Sequence, residues 1–184
     1  GLQDLFFAGN MVPSKLYINK GNFSFEDITE KSGIVTNRWP FGVSIIDINS
    51  DGLQDIYLSM GGPGNVDIYP NKLYINQGNL TVKEQAVEYG LADMGQSIQA
   101  AFLDYDKDGD LDMYLLTGGG FEKSPIIPHT ISRDGSARNR DKLYRNDFNS
   151  QKGHAVFTDV SIEAHILEEG FGLGVLVLDI NDDG

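Results

Sequence analysis

The sequence predicts an all-β fold: a β-propeller built of four-stranded antiparallel blades, here a partial propeller of about three. Three observations carry this. Short segments rich in Val, Ile, Tyr and Phe recur along the chain, glycine is abundant at 22 of 184 residues, and no convincing amphipathic helix stands out.

The repeat opens with Gly1-Leu2-Gln3-Asp4-Leu5-Phe6-Phe7 and returns as Gly52-Leu53-Gln54-Asp55-Ile56-Tyr57-Leu58 and Gly109-Asp110-Leu111-Asp112-Met113-Tyr114-Leu115. A second segment follows each copy: Lys15 to Asn19, Lys72 to Asn76 and Lys142 to Asn146, each beginning Lys-Leu-Tyr and ending in Asn. The third segment is Phe25-Glu26-Asp27-Ile28-Thr29 and Phe157-Thr158-Asp159-Val160-Ser161, with a degenerate middle copy near Val82 to Val87. The fourth is Gly42 to Ile48, Gln99 to Tyr105 and Gly174 to Ile180. Each is five to eight residues long and bounded by Gly, Asn, Asp or Pro, which is the pattern of strands between turns.

The opening glycines at 1, 52, 109 and 184 set spacings of 51, 57 and 75 residues, near the period of propeller blades. The units are 1–51, 52–108 and 109–183, a single propeller segment. The longest contains an insertion at about 118–140 that reads as a surface excursion, since it holds Pro125, Pro128 and several Gly and Ser.

Composition narrows the function. A net charge of −13 repels phosphate backbones and anionic lipid headgroups, so nucleic acid is not an expected partner and cations are. The apolar run Leu173 to Leu178 is far short of the roughly 20 residues of a membrane-spanning helix. With no cysteine, disulfides, thiolate zinc sites and thiol catalysis are excluded, and no G-x-S-x-G or H-E-x-x-H motif is present.

Between the fourth segment of one unit and the first of the next lies Asp47-Ile48-Asn49-Ser50-Asp51-Gly52-Leu53-Gln54-Asp55, repeated as Asp104-Tyr105-Asp106-Lys107-Asp108-Gly109-Asp110-Leu111-Asp112. Oxygen side chains at positions 1, 3 and 5, Gly at 6 and an acid at 9 suit a hard divalent cation. The candidate ligands are Asp47, Asn49, Asp51, the Leu53 carbonyl and Asp55 in one loop. In the other they are Asp104, Asp106, Asp108, the Asp110 carbonyl and Asp112. Ca2+ fits better than Mg2+, because Ca2+ accepts six to eight oxygens flexibly whereas Mg2+ demands a rigid octahedron and keeps its waters. An EF-hand is disfavoured: position 12 is Leu58 or Leu115 rather than Glu, and flanking helices are lacking.

A split copy completes the set, with Asp179, Asn181 and Asp183 at positions 1, 3 and 5 and Asp4 at position 9. The chain therefore reads as part of a longer protein. A monomer is the expectation, and a ring-closing dimer, with Asp4 of one copy completing the loop of another, is the alternative.

The strand, loop and strand repeat resembles the FG-GAP/VCBS family of calcium-loop β-propellers, also seen in integrin α-subunit heads. The phrases Asn71 to Asn76 and Phe25 to Ile34 look like the subgroup similar to cartilage acidic protein and the ASPIC/UnbV proteins. The resemblance implies an extracellular, cell-surface or periplasmic calcium-binding module. It would act in binding, adhesion or scaffolding toward a protein or carbohydrate ligand, without catalysis. The competing reading is an accessory propeller of a secreted carbohydrate-active or other hydrolytic enzyme.

Other residues invite weaker readings. His129, His154 and His165 show no converging spacing, and Trp39 reads as core rather than as a rim residue for stacking a ligand. The stretch 132–145 holds five cations against two aspartates and reads as a solvated insertion whose charges offset neighbouring acids. Asn22 and Asn79 begin glycosylation sequons.

Overall fold

The computed structural model describes residues 1–36, 38–61, 69–119 and 130–181. The all-β expectation holds. The strands form three antiparallel sheets. Sheet A contains β1 (Leu5–Phe7), β2 (Lys15–Gly21) and β3 (Ser24–Asp27) in that order. Sheet B runs β4 (Pro40–Ile46), β5 (Asp55–Met60), β6 (Lys72–Asn76) and β7 (Val82–Glu84). Sheet C runs β8 (Ser97–Leu103), β9 (Asp112–Thr117), β10 (Lys142–Asn149) and β11 (His154–Asp159). Among the described residues no helix is long and apolar enough to cross a membrane.

Two features depart from the sequence reading. Each aspartate loop joins two neighbouring strands of one sheet, so the sheets are offset from the glycine-to-glycine period: β4, at the end of the first unit, pairs with β5 of the second. The Gly174 to Ile180 segment, expected as a strand, is not one. The Val175 N–H donates to Gln99 Oε1 at 3.4 Å, and among the described residues no ladder partner fixes the segment as a strand.

Helix also enters where none was expected. Single turns α1 (Thr29–Ser32) and α2 (Ala86–Tyr89) follow β3 and β7, each ending in a left-handed glycine, Gly33 or Gly90. Gly90 is required twice over, since its φ is +78° and a Cβ there would lie 2.5 Å from the Phe157 carbonyl oxygen. In the third unit His165 takes the equivalent left-handed position at φ 57°, which is how the chain manages without glycine there.

The core lies between sheets. Tyr57, Leu73, Ile75, Met113, Leu115, Tyr144 and Phe157 pack sheet B against sheet C, while Ile56, Leu58, Met60 and Tyr74 meet Phe6 and Leu16 of sheet A. Strands β4 and β8 approach so closely that Gly42 has room for no side chain: its Cβ would lie 2.3 Å from the Ile98 carbonyl oxygen. The Ser44 hydroxyl donates to the Ala100 carbonyl at 2.7 Å across the same seam. That seam sets the loops at the ends of β4 and β8 side by side in equivalent positions.

Candidate metal centre

The two complete loops have one backbone design. Position 4 is left-handed in each, at Ser50 (φ 57°) and Lys107 (φ 63°), as is the glycine at position 6, Gly52 (φ 86°) and Gly109 (φ 98°). The first aspartate holds this coil: Asp47 accepts from the N–H groups of Asp51 at 3.0 Å and Gly52 at 2.8 Å. Asp104 does the same for Asp108 at 3.2 Å and Gly109 at 3.0 Å. Position 5 then accepts from position 7, Asp51 from Leu53 at 2.8 Å and Asp108 from Asp110 at 3.1 Å. Only the glycine was legible as a turn signal. The side-chain bonds supply the reason that Ser50 and Lys107 tolerate positive φ.

The acid at position 9 is placed differently from the others. Asp55 and Asp112 are buried, and each spends both oxygens on backbone: Asp55 accepts from Ile48 at 3.1 Å and Asn76 at 2.8 Å, Asp112 from Tyr105 at 3.1 Å and Asn146 at 2.8 Å. Burial raises both carboxyls above the ordinary range against the opposing effect of these bonds, and the loop acids add to the rise. Asp4 repeats half of the arrangement at an exposed site, accepting from Asn19 at 2.9 Å.

The asparagine ending each Lys-Leu-Tyr segment is the partner that the sequence reading missed. Asn19, Asn76 and Asn146 each donate their amide to the carbonyl before the aspartate, at Gln3 (3.0 Å), Gln54 (3.1 Å) and Leu111 (3.1 Å). The signal was present, since Asp and Asn recur together three times. At the other end of each strand pair, the residue before the Lys closes a second clamp: Asn71 accepts from Met60, Asp141 from Thr117, and Ser14 from Gly9.

Above this base the acids converge. Asp104, Asp106 and Asp108 offer carboxylate oxygens all within 4.8 Å of one another. Asp110 has a buried Oδ1 without a hydrogen-bond partner, and its carboxyl is pushed up to about 6 by burial and then by Asp108, Asp112, Asp106 and Asp104. Crowded like charges with an orphaned oxygen are the donor chemistry that a hard cation satisfies. In the first loop Asn49 breaks the crowding by donating its amide to Asp51 Oδ2 at 2.9 Å.

The split loop is less defined. Asp179 accepts from the Asn181 N–H at 3.2 Å, and Asp183 lies outside the described residues. Of the histidines, His154 stacks on Tyr89 with ring centroids 4.6 Å apart, His165 stands exposed, and His129 lies outside the described residues. Trp39 is half-buried. Four of the five cations of 132–145 pair with acids elsewhere in the chain: Arg133 with Glu168 (3.7 Å), Arg140 with Asp159 (3.0 Å), Arg145 with Asp147 (3.0 Å) and Lys142 with Asp93. This favours charge offset over a partner-binding loop.

Residues 1–58 match the family model for the FG-GAP-like repeat. The match spans sheet A, β4, the first aspartate loop and the start of β5, and it bears out the FG-GAP reading of the repeat over that segment. Comparison with curated proteins gave no match.

Proposed function

We propose that the chain is part of an extracellular FG-GAP-type propeller whose loops hold Ca2+ and whose role is to bind a partner rather than to catalyse. The observation that carries the calcium reading is the convergence of Asp104, Asp106 and Asp108, in a loop that also leaves a buried Asp110 oxygen without a hydrogen-bond partner. Asp47, Asn49, Asp51, the Leu53 carbonyl and Asp55 would hold a second ion in the same coil. Asp55 and Asp112 would contribute from the base, since a carboxylate oxygen can accept a backbone bond and still face a cation. Calcium supplies charge neutralisation and rigidity here, and the chain supplies the cage. The acid clusters are thereby accounted for without a nucleophile and base pair, which supports a non-catalytic role. An acidic calcium loop of this kind also suits compartments in which calcium is abundant.

Calorimetry after chelation tests the reading. Calcium is expected to raise the melting temperature and magnesium at equal concentration to do little. At free calcium of about 100 times Kd the gain is about 2.7 kcal/mol per site. A melting temperature indifferent to calcium overturns it.

A further inference from the structure

The third position of each aspartate loop sets a different demand. Asp106 offers an oxygen whichever way its carboxylate turns, whereas Asn49 is a ligand only when the oxygen end of its amide faces the ion. That end lies beside the first aspartate: Asn49 Oδ1 and Asp47 Oδ1 both accept from the Asp51 N–H, at 3.1 and 3.0 Å. The nitrogen end donates to Asp51 Oδ2 at 2.9 Å, which uses one of its two hydrogens.

The other hydrogen has a partner in Tyr89. This residue is 4% exposed, ends the single turn α2 just before Gly90, and belongs to the core cluster that holds Ile46 and Ile48, the two neighbours of Asp47. Burial, followed by the carboxylates of Asp55 and Asp51, raises its hydroxyl, and a hydrogen bond from the Asn49 side chain opposes the rise. A bond in that sense favours the phenolate, so the amide donates and the phenol oxygen accepts.

The ring is held from behind by sheet C. It stacks on His154 of β11 with centroids 4.6 Å apart and planes 20° from parallel. Beside it, Lys152 donates to the Glu88 carbonyl at 3.3 Å. The third unit lacks this device. Matching hydrogen bonds, Leu91 N–H to the Ala86 carbonyl and Ile166 N–H to the Ser161 carbonyl, align Tyr89 with Ala164, which has no polar group to offer Asp106. Amide and tyrosine thus occur together in one unit, carboxylate and alanine in the other.

We propose that Tyr89 is a positioning residue for the calcium site of loop 47–55: its hydroxyl takes one amide hydrogen of Asn49, Asp51 takes the other, and the Asn49 carbonyl oxygen is thereby turned to the ion beside Asp47. Through His154, sheet C helps to set the ligand geometry of a loop in sheet B. The inference rests on the calcium reading and adds to it a residue that touches no metal.

Calorimetric calcium titration of the 184-residue chain tests it with Tyr89→Phe, which keeps the ring, its burial and its stack and removes only the hydroxyl. The calcium step that Asp51→Ala removes is expected to weaken about tenfold, as is usual when the group orienting a ligand is lost. The step that Asp108→Ala removes should not change. Metal-free melting should not change either, because Asn49 is exposed and its released hydrogen turns to water. His154→Ala, which unseats the ring but leaves the hydroxyl, should weaken the same step about threefold. A Tyr89→Phe chain that binds calcium like the parent, that weakens in both steps equally, or that melts lower in chelator with its calcium affinity intact overturns the inference and leaves the calcium reading standing. A step indifferent to His154→Ala overturns the part given to sheet C, and a parent chain with no calcium step overturns both readings.

Discussion

The loops 47–55 and 104–112 share a backbone and differ in charge. Two substitutions separate them at ligand positions, Asn49 against Asp106 and Leu53 against Asp110, so the first has three carboxylates and the second five. The first satisfies itself through the Asn49 amide on Asp51, whereas the second leaves Asp110 Oδ1 buried and unpartnered. Coil geometry therefore comes from the shared residues, namely the aspartates at 1 and 5 and the left-handed positions 4 and 6. Charge density is set independently by positions 3 and 7. One loop satisfies its own acids, and the other carries crowded charge that its own groups do not offset.

The largest effect tests what the loops have in common. Asp112→Ala strips acceptors from two N–H groups, of Tyr105 and Asn146, at a buried site. It is expected to cost about 3 kcal/mol, or roughly 6 to 12 °C in melting temperature, even in chelator. Asp4→Ala removes one such bond at an exposed site and should cost under about 1 kcal/mol by the same reasoning. No loss for Asp112→Ala by denaturant unfolding in chelator would show that position 9 acts only through metal.

The next effect separates the loops. Calorimetric titration should resolve a tighter calcium step that Asp108→Ala removes and a weaker one that Asp51→Ala removes, because added carboxylates strengthen calcium sites. Asn49→Asp should then narrow the gap, tightening the weaker step several-fold while lowering metal-free stability by about 0.5 kcal/mol through like-charge crowding. If the two steps are already equal in the unmodified chain, the carboxylate count does not set affinity here.

Much of this was legible before the structure. The Lys72 to Asn76 strand was read with its bounds intact, and the positions of both aspartate loops followed from repetition alone. What escaped was information that a strand or loop motif does not carry by itself. The one-turn helices are too short to show a helical period, so only Gly33 and Gly90 announced them. Gly174 to Ile180 has a strand's composition, yet strand state is a property of a pair, and among the described residues no strand pairs with it. The reach from Asn76 to Asp55 and from Asn146 to Asp112 depends on sheet register, which local pattern does not specify.

The smallest expected effect is of pH, and it also falls on the more acidic loop. Asp110 has its folded-state pKa raised to about 6, above the usual value near 3.9 for an unfolded chain. A carboxyl raised by folding binds protons more readily in the folded state, so its penalty is absent below the unfolded value and grows as pH rises through the folded one. The metal-free protein should therefore gain stability as pH falls from 7 toward about 4. The gain is modest, because Asp110 is only partly shielded and water screens its neighbours. Asp27 and Asp134, both held down to about 2 by hydrogen bonds, act in the opposite sense and lose their contribution only as pH falls from about 4 to about 2. The two windows are separate. Asp110→Asn should reduce the rise in the upper window, leaving the share of the raised Asp55 and Asp112, without touching the lower one, and Leu53→Asp should introduce a rise of the same sign from the other loop. Melting curves in chelator from pH 7 to pH 4 that fall with acid, or that rise equally with Asp110→Asn, would place the titrating group elsewhere and break the contrast between the two loops.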